Sequence, residues 1–141
     1  MQWLDLSFLL GRILFVAFFV LGGVGHFTKH KMLTGYAQSL GVPAAAILVP
    51  IAGVLVLAGS LSIVLGLWPD LGAILLIVFL VPVTLWAHPF WKMEGQQRQM
   101  QALNFWRNVA FAGAAVIIFY LSVQGTLPYA LTGPLLRLRL R

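Results

Sequence analysis

Leu71-Gly-Ala-Ile-Leu-Leu-Ile-Val-Phe-Leu-Val-Pro82-Val-Thr-Leu-Trp86-Ala-His88-Pro-Phe-Trp91 runs for 21 residues without an acid, a lysine or an arginine. A bilayer core about 30 Å thick is crossed by about 20 helical residues, so this stretch can span one. Its side chains lack the apolar/polar alternation of a barrel strand, and backbone in lipid must satisfy its own hydrogen bonds. The stretch therefore reads as a membrane helix, with Pro82 expected to kink it.

The same logic extends in both directions. No charge lies between Lys31 and Asp70, and within that interval Ile51 to Trp68 forms an 18-residue span that reaches back toward Pro43. A span before it covers about Leu4 to Phe27, interrupted by Arg12, and another runs from about Phe105 to Val123. Short connections favour antiparallel neighbours. The expected fold class is an all-α membrane protein, an antiparallel bundle of four transmembrane helices at about 4–27, 43–68, 71–91 and 104–123. One domain covers 1–141, and 124–141 is expected as an interfacial or flexible tail. The first span lacks the basic leader of a cleavable signal and is too long for one.

Composition agrees. Hydrophobic residues make up 61% of the chain and charged residues 9%, with a mean hydropathy of +0.97. Soluble domains carry roughly 25% charged residues, so this chain cannot clothe a water-facing surface. Cysteine is absent, which excludes disulfides, thiol nucleophiles and thiolate metal sites within the chain. The net charge of +6 comes from basic residues flanking apolar runs, which suits anionic lipid headgroups and not nucleic acid. Small residues at Ala52, Gly59 and Gly66, at Gly22 and Gly25, and at Ala112, Gly113 and Ala115 mark expected packing faces.

Alternating helices put residues 28–42, with a short surface helix expected over Lys31–Leu40, on the same membrane face as residues 92–103. The Asp70 turn and the tail lie on the opposite face. Lys29, Lys31, Lys92, Arg98 and Arg107 crowd the first face, which the positive-inside rule assigns to the cytoplasm; the arginines of Arg137-Leu-Arg-Leu-Arg141 pull the other way. Trp86, Trp91 and Trp106 suit an interfacial belt.

This topology gathers polar residues that are distant in sequence. His26, Lys29, His88, Asn104, Arg107 and Asn108 are the ligand-binding candidates, suited to an anionic headgroup, a quinone carbonyl or the polar end of a lipid-like molecule. Thr84 with His88, and Asn104 with Asn108, are four apart and share helix faces; Asp5, Arg12, Phe19 and His26 recur every seven. No metal is expected, because neither carboxylate nor thiolate accompanies the histidines. Arg12 lies about 12 Å into the first span at 1.5 Å per residue. Intramembrane charges usually face the bundle interior with a partner, and Arg12 with Asp70 is the expected structural pair. Asp5 and Tyr120 are alternatives, as are snorkelling and a ligand contact.

Six segments then follow in order: Gly11-Arg12-Ile-Leu-Phe, Gly22 to Lys29, Gly41-Val-Pro43, Leu57-Ala-Gly59 to Leu65-Gly66, Ala87-His88-Pro-Phe-Trp91 and Arg107-Asn108-Val-Ala-Phe. This series, over about residues 8 to 123, resembles the DoxX family of small bacterial and archaeal membrane proteins. The resemblance implies a four-helix bundle in the bacterial cytoplasmic (inner) membrane. It also implies kinship with subunits of thiosulfate:quinone oxidoreductase and with proteins of membrane redox defence. Recurrent family positions correspond to Arg12, Lys29, His88, Arg107 and Asn108. Two departures stand out: the glutamate often found early in the second helix is absent from the apolar region around Val56, and Arg107 stands where a lysine is usual.

Two functions are compatible with these readings. The first is a non-catalytic membrane subunit or scaffold whose polar end holds a lipid or quinone headgroup. The second is the membrane subunit of a quinone-linked oxidoreductase, with His88 and Arg107 polarising a quinone carbonyl. Expected partners are the lipid bilayer and either a redox protein or a second copy in a homo-oligomer; quinone is the one cofactor considered. No catalytic residue is assigned, since no nucleophile–base–acid set or phosphate loop occurs. Transport is weak without intramembrane acids or inverted repeats.

Overall fold

The structure, a computed structural model, describes residues 2–136. It contains helix α1 (Gln2–Thr28), α2 (His30–Ser39), α3 (Ala45–Leu65), α4 (Pro69–Ala87) and α5 (Gly95–Val123), with a 3-10 turn at Phe90–Lys92. Four of the helices, α1, α3, α4 and α5, are long and apolar enough to cross a membrane. The expected four-helix antiparallel bundle is therefore present. The short surface helix expected over Lys31–Leu40 is α2.

Helix ends differ from expectation in two places, for local reasons. α4 stops at Ala87 because Pro89 forces His88 away from helical geometry, with φ −127° and ψ 53°. α5 begins at Gly95, well before residue 104, because Gln96-Gln-Arg-Gln-Met-Gln-Ala-Leu103 consists of good helix formers. Its first turns extend beyond the apolar run.

Packing runs around three sides of a square, α1 on α3, α3 on α4 and α4 on α5. On the fourth side α1 and α5 meet through phenylalanines, with Phe111 against Phe15, Phe18 and Phe19 at centroid separations of 6.2, 4.8 and 5.2 Å. Arg12, Val16, Phe19 and Gly23 form the buried stripe of α1. Val16, Phe19, Val56, Ile63, Leu76, Leu80 and Ile118 form the core between the helices.

The small-residue faces are partly in register with expectation. α3 and α4 approach closely at Gly59, where a Cβ would lie 2.9 Å from the Gly72 carbonyl oxygen. On α1 the close contact is at Gly23, against Leu57, whereas Gly22 and Gly25 have nothing nearby. Ala115 is buried and Gly113 is open. One position along a helix turns a side chain by about 100°, since 3.6 residues make a turn.

At the end holding the α3–α4 turn, the chain departs most from expectation. Gly66 adopts φ +65° and closes α3 in a Schellman motif, with Gly66 N–H on Ile63 O at 3.2 Å and Leu67 N–H on Ser62 O at 3.0 Å. Residues 124–136 fold back over this end. Thr132 N–H donates to Gly66 O at 3.0 Å, Trp68 N–H donates to Thr132 Oγ1 at 2.8 Å, and Leu127 is buried. The expected interfacial or flexible tail is thus, over 124–136, a cap; the Arg137–Arg141 anchor lies outside the described residues.

Arg12 and Asp70 are both buried here, 2% and 0% exposed, but the expected contact between them is not made. Arg12 Nη2 donates to Tyr129 O at 3.2 Å, while Asp70 accepts from Leu135 N–H at 3.0 Å and Leu136 N–H at 2.7 Å. Tail backbone satisfies both carboxylate oxygens of Asp70 but meets Arg12 only at Nη2. Asp70 also sits in the first turn of α4, where the helix dipole favours a carboxylate. Arg12 Nη1 approaches Gly66 at the C-terminal end of α3, where the dipole favours a cation.

Candidate functional site

At the opposite end, α1, α4 and α5 converge on a cavity of about 120 Å³. His26, His88, Arg107 and Asn108 all line it, with Phe18, Phe19 and Phe79 supplying apolar walls. Four of the six residues singled out from sequence therefore meet in one place. The other two do not line it. Lys29 is exposed at the junction of α1 and α2. Asn104 stands one step back, its Nδ2 donating to Gln101 Oε1 at 3.5 Å.

Each side chain is placed by a local cause. His26 lies in the last turn of α1, and Gly53 of α3 leaves room for it: a Cβ at Gly53 would come within 2.8 Å of His26 Cβ. The backbone break at Pro89 carries His88 out of helix α4 and toward α5, where Gln101 meets it. Arg107 lies over the ring of Phe18, its Cζ 5.1 Å from the centroid, a cation–π arrangement that bridges α5 to α1. Asn108, one position on, turns inward and is 7% exposed.

Hydrogen bonding fixes what the imidazoles can offer. His26 Nδ1 donates to Gly22 O at 2.9 Å, and His88 Nδ1 donates to Gln101 Oε1 at 2.7 Å. Carbonyl oxygens only accept, so in each neutral ring the proton is on Nδ1 and Nε2 carries a lone pair. Among the described residues, neither the Arg107 guanidinium nor the Asn108 amide hydrogen-bonds to protein, and both line the cavity. The site thus combines two acceptor nitrogens, a permanent cation and an amide able to do both. The chain's three acids lie apart from it: Asp5 near the start of α1, Asp70 under the cap and Glu94 at the start of α5. Among the described residues no group of three or more His, Asp or Glu side chains could hold a metal ion.

Gln101 is a site residue that sequence reading missed. It belongs to a run of glutamines with no individual signature, and only its meeting with His88 across the α4–α5 connection distinguishes it. Thr84, expected to share a helix face with His88, stays within α4 while His88 leaves it; the Thr84 hydroxyl donates to Leu80 O inside its own helix and takes no part in the cavity.

The DoxX family model matches residues 7–89. That range contains Arg12, His26, Lys29 and His88, and ends before the α5 half of the cavity. Inner membrane protein YphA of Escherichia coli (strain K12) is 29% identical over 126 residues, covering 89% of this chain and 82% of that protein. No solved structure matches. With the family model covering more than half of its length, and four apolar helices able to span the bilayer, this chain belongs to the DoxX family and is a multi-pass protein of the bacterial inner membrane.

Proposed function

We propose that this protein is a non-catalytic membrane subunit or scaffold that holds the polar head of a lipid-like molecule between α1, α4 and α5. The observation that carries this reading is the meeting of His26, His88, Arg107 and Asn108 around one cavity, with the chain's acids placed elsewhere. Such a site offers directional hydrogen bonds and a fixed positive charge. It offers no acid–base pair and no nucleophile of the kind independent catalysis needs.

Mass spectrometry of the protein released intact from mild detergent tests the proposal. A discrete bound amphiphile is expected on the wild type and should be lost or reduced at least fivefold in Asn108→Ala and Arg107→Ala. Equal retention of the same lipids by both variants would sink the reading.

A second reading is favoured by the imidazole tautomers. Two Nε2 acceptors beside Arg107 and Asn108 donors suit a ring bearing both hydroxyl and carbonyl character, as a quinone and its quinol do. On this reading the chain is the membrane subunit of a quinone-linked oxidoreductase and a redox partner supplies the electrons. Co-purification of that partner with bound quinone is the expected result, and quinone-dependent turnover of the complex should fall by tenfold or more in His88→Ala. Turnover unchanged by that substitution would remove His88 from the site.

A further inference from the structure

The polar cavity shares His26, Phe79 and Val83 with a second cavity of about 190 Å³. Val49, Ala52, Leu55, Val78 and Pro82 wall the second cavity, and Tyr36 of α2 and Leu40, just past its end, line it from the other side. His26 and Phe79 meet edge-to-face across the partition between the two, with centroids 5.7 Å apart. The other route out of the polar cavity follows the α1–α5 seam. There Phe15, Phe18, Phe19 and Phe111 interlock, with Phe18 and Phe111 only 4.8 Å apart.

The geometry points to an amphiphile with a single apolar chain, its head in the polar cavity and its chain passing Phe79 into the α2-lined cavity. This rests on the head-group reading of the polar cavity. An apolar cavity gives water few partners, whereas a hydrocarbon chain gains dispersion contacts with every wall. Two polar groups at its rim already hold protein partners. Tyr36 Oη donates to Ala87 O at 2.8 Å, so its one hydroxyl proton is already used. His26 is likewise held by Gly22 O through Nδ1, which leaves Nε2 for the head. The two routes differ in what stands along them: one ring, Phe79, at the partition, and four interlocked rings along the seam. One apolar cavity adjoins the head site, which is why the inference specifies an amphiphile with one chain and not a phospholipid with two.

The role for α2 follows from the same placement. Its Tyr36–Ala87 bond ties the surface helix to the end of α4, and both residues line the chain cavity on that side. α2 is therefore a wall of the site as well as a connection between spans.

A monoacylglycerol carrying a diazirine near the end of its acyl chain tests this on the full-length protein in nanodiscs. After illumination, cross-linked peptides are mapped by mass spectrometry. The expected sites are the chain-cavity walls, at Leu55, Val78 and Tyr36. Labelling there should fall at least fivefold in Ala52→Trp, which fills the cavity, and in Asn108→Ala, which strips the head contacts. Ala52→Leu, a milder filling, should give an intermediate loss and guards against misfolding of the tryptophan variant. Labelling that depends on Asn108 but falls on Phe111 and Ala114 would overturn the chain route and leave the head-group reading standing. Labelling indifferent to Asn108→Ala would overturn both.

Discussion

Arg12, in the first helix, donates from Nη2 to the carbonyl of Tyr129 at 3.2 Å, across 117 positions of sequence. Its Nε and Nη1 are buried without a hydrogen-bond partner. Replacing a buried charge by an apolar side chain of similar volume is often neutral or stabilising, and the one hydrogen bond lost contributes about 1 kcal/mol. Arg12→Met should therefore destabilise the protein by no more than about 1 kcal/mol. Thermal unfolding in detergent measures this; a fall of many degrees would show the guanidinium to be fully compensated in the folded protein.

Asp70 is the opposite case. Its two carboxylate oxygens each accept a backbone N–H of the tail, from Leu135 and Leu136. Asp70→Ala leaves both donors without their acceptor and should cost about 1.5–3 kcal/mol. Two readouts check it: a lower unfolding midpoint, and faster proteolysis beyond Val123. Asp70→Asn keeps one acceptor and should fall between alanine and wild type.

Gly66 and Gly41 both hold positive φ, +65° and +77°, but differ in surroundings. A Cβ at Gly41 meets nothing within 4 Å, whereas one at Gly66 would lie 2.5 Å from Ala130 Cα. Gly41→Ala should cost about 1 kcal/mol, the left-handed penalty alone. Gly66→Ala should cost about 1–3 kcal/mol more, because the cap must shift. Equal midpoints for the two variants would show that the cap does not press on Gly66 in solution.

Asn108 is buried yet bonds to no described protein group. Asn108→Leu should therefore hold or raise stability, by up to about 1 kcal/mol, since burying an unpaired amide is unfavourable. The same variant should lose the bound amphiphile. Unfolding curves and lipid content measured on one preparation separate the two effects.

Most of the bundle can be read in the chain because charges are so rare that their spacing outlines the spans. Helix ends are harder. At residues 95–103 polarity argues for a loop, but glutamine, arginine and methionine favour helix, and the helical preference prevails. The cap over Arg12 and Asp70 has no sequence signature at all: both charges are met by backbone groups of residues 129, 135 and 136, and backbone groups are the same at every position. In the site, alternation of helix direction is enough to bring His26, His88, Arg107 and Asn108 together. It does not resolve Lys29 from His26, or Asn104 from Asn108, because each pair lies within about one turn. Which member reaches the cavity depends on where the helix stops and on small residues such as Gly53 opposite it.

The folded-back cap has a consequence for biogenesis. Synthesis proceeds from the first helix onward, so Arg12 enters the bilayer more than a hundred residues before the Tyr129 carbonyl that it will bond exists. Asp70 waits in the same way for Leu135 and Leu136. The final seating of the first helix therefore waits until residues 129–136 have been made. A fusion partner joined immediately after residue 136 would intrude on the step that completes the bundle, whereas one attached ahead of Gln2 would not.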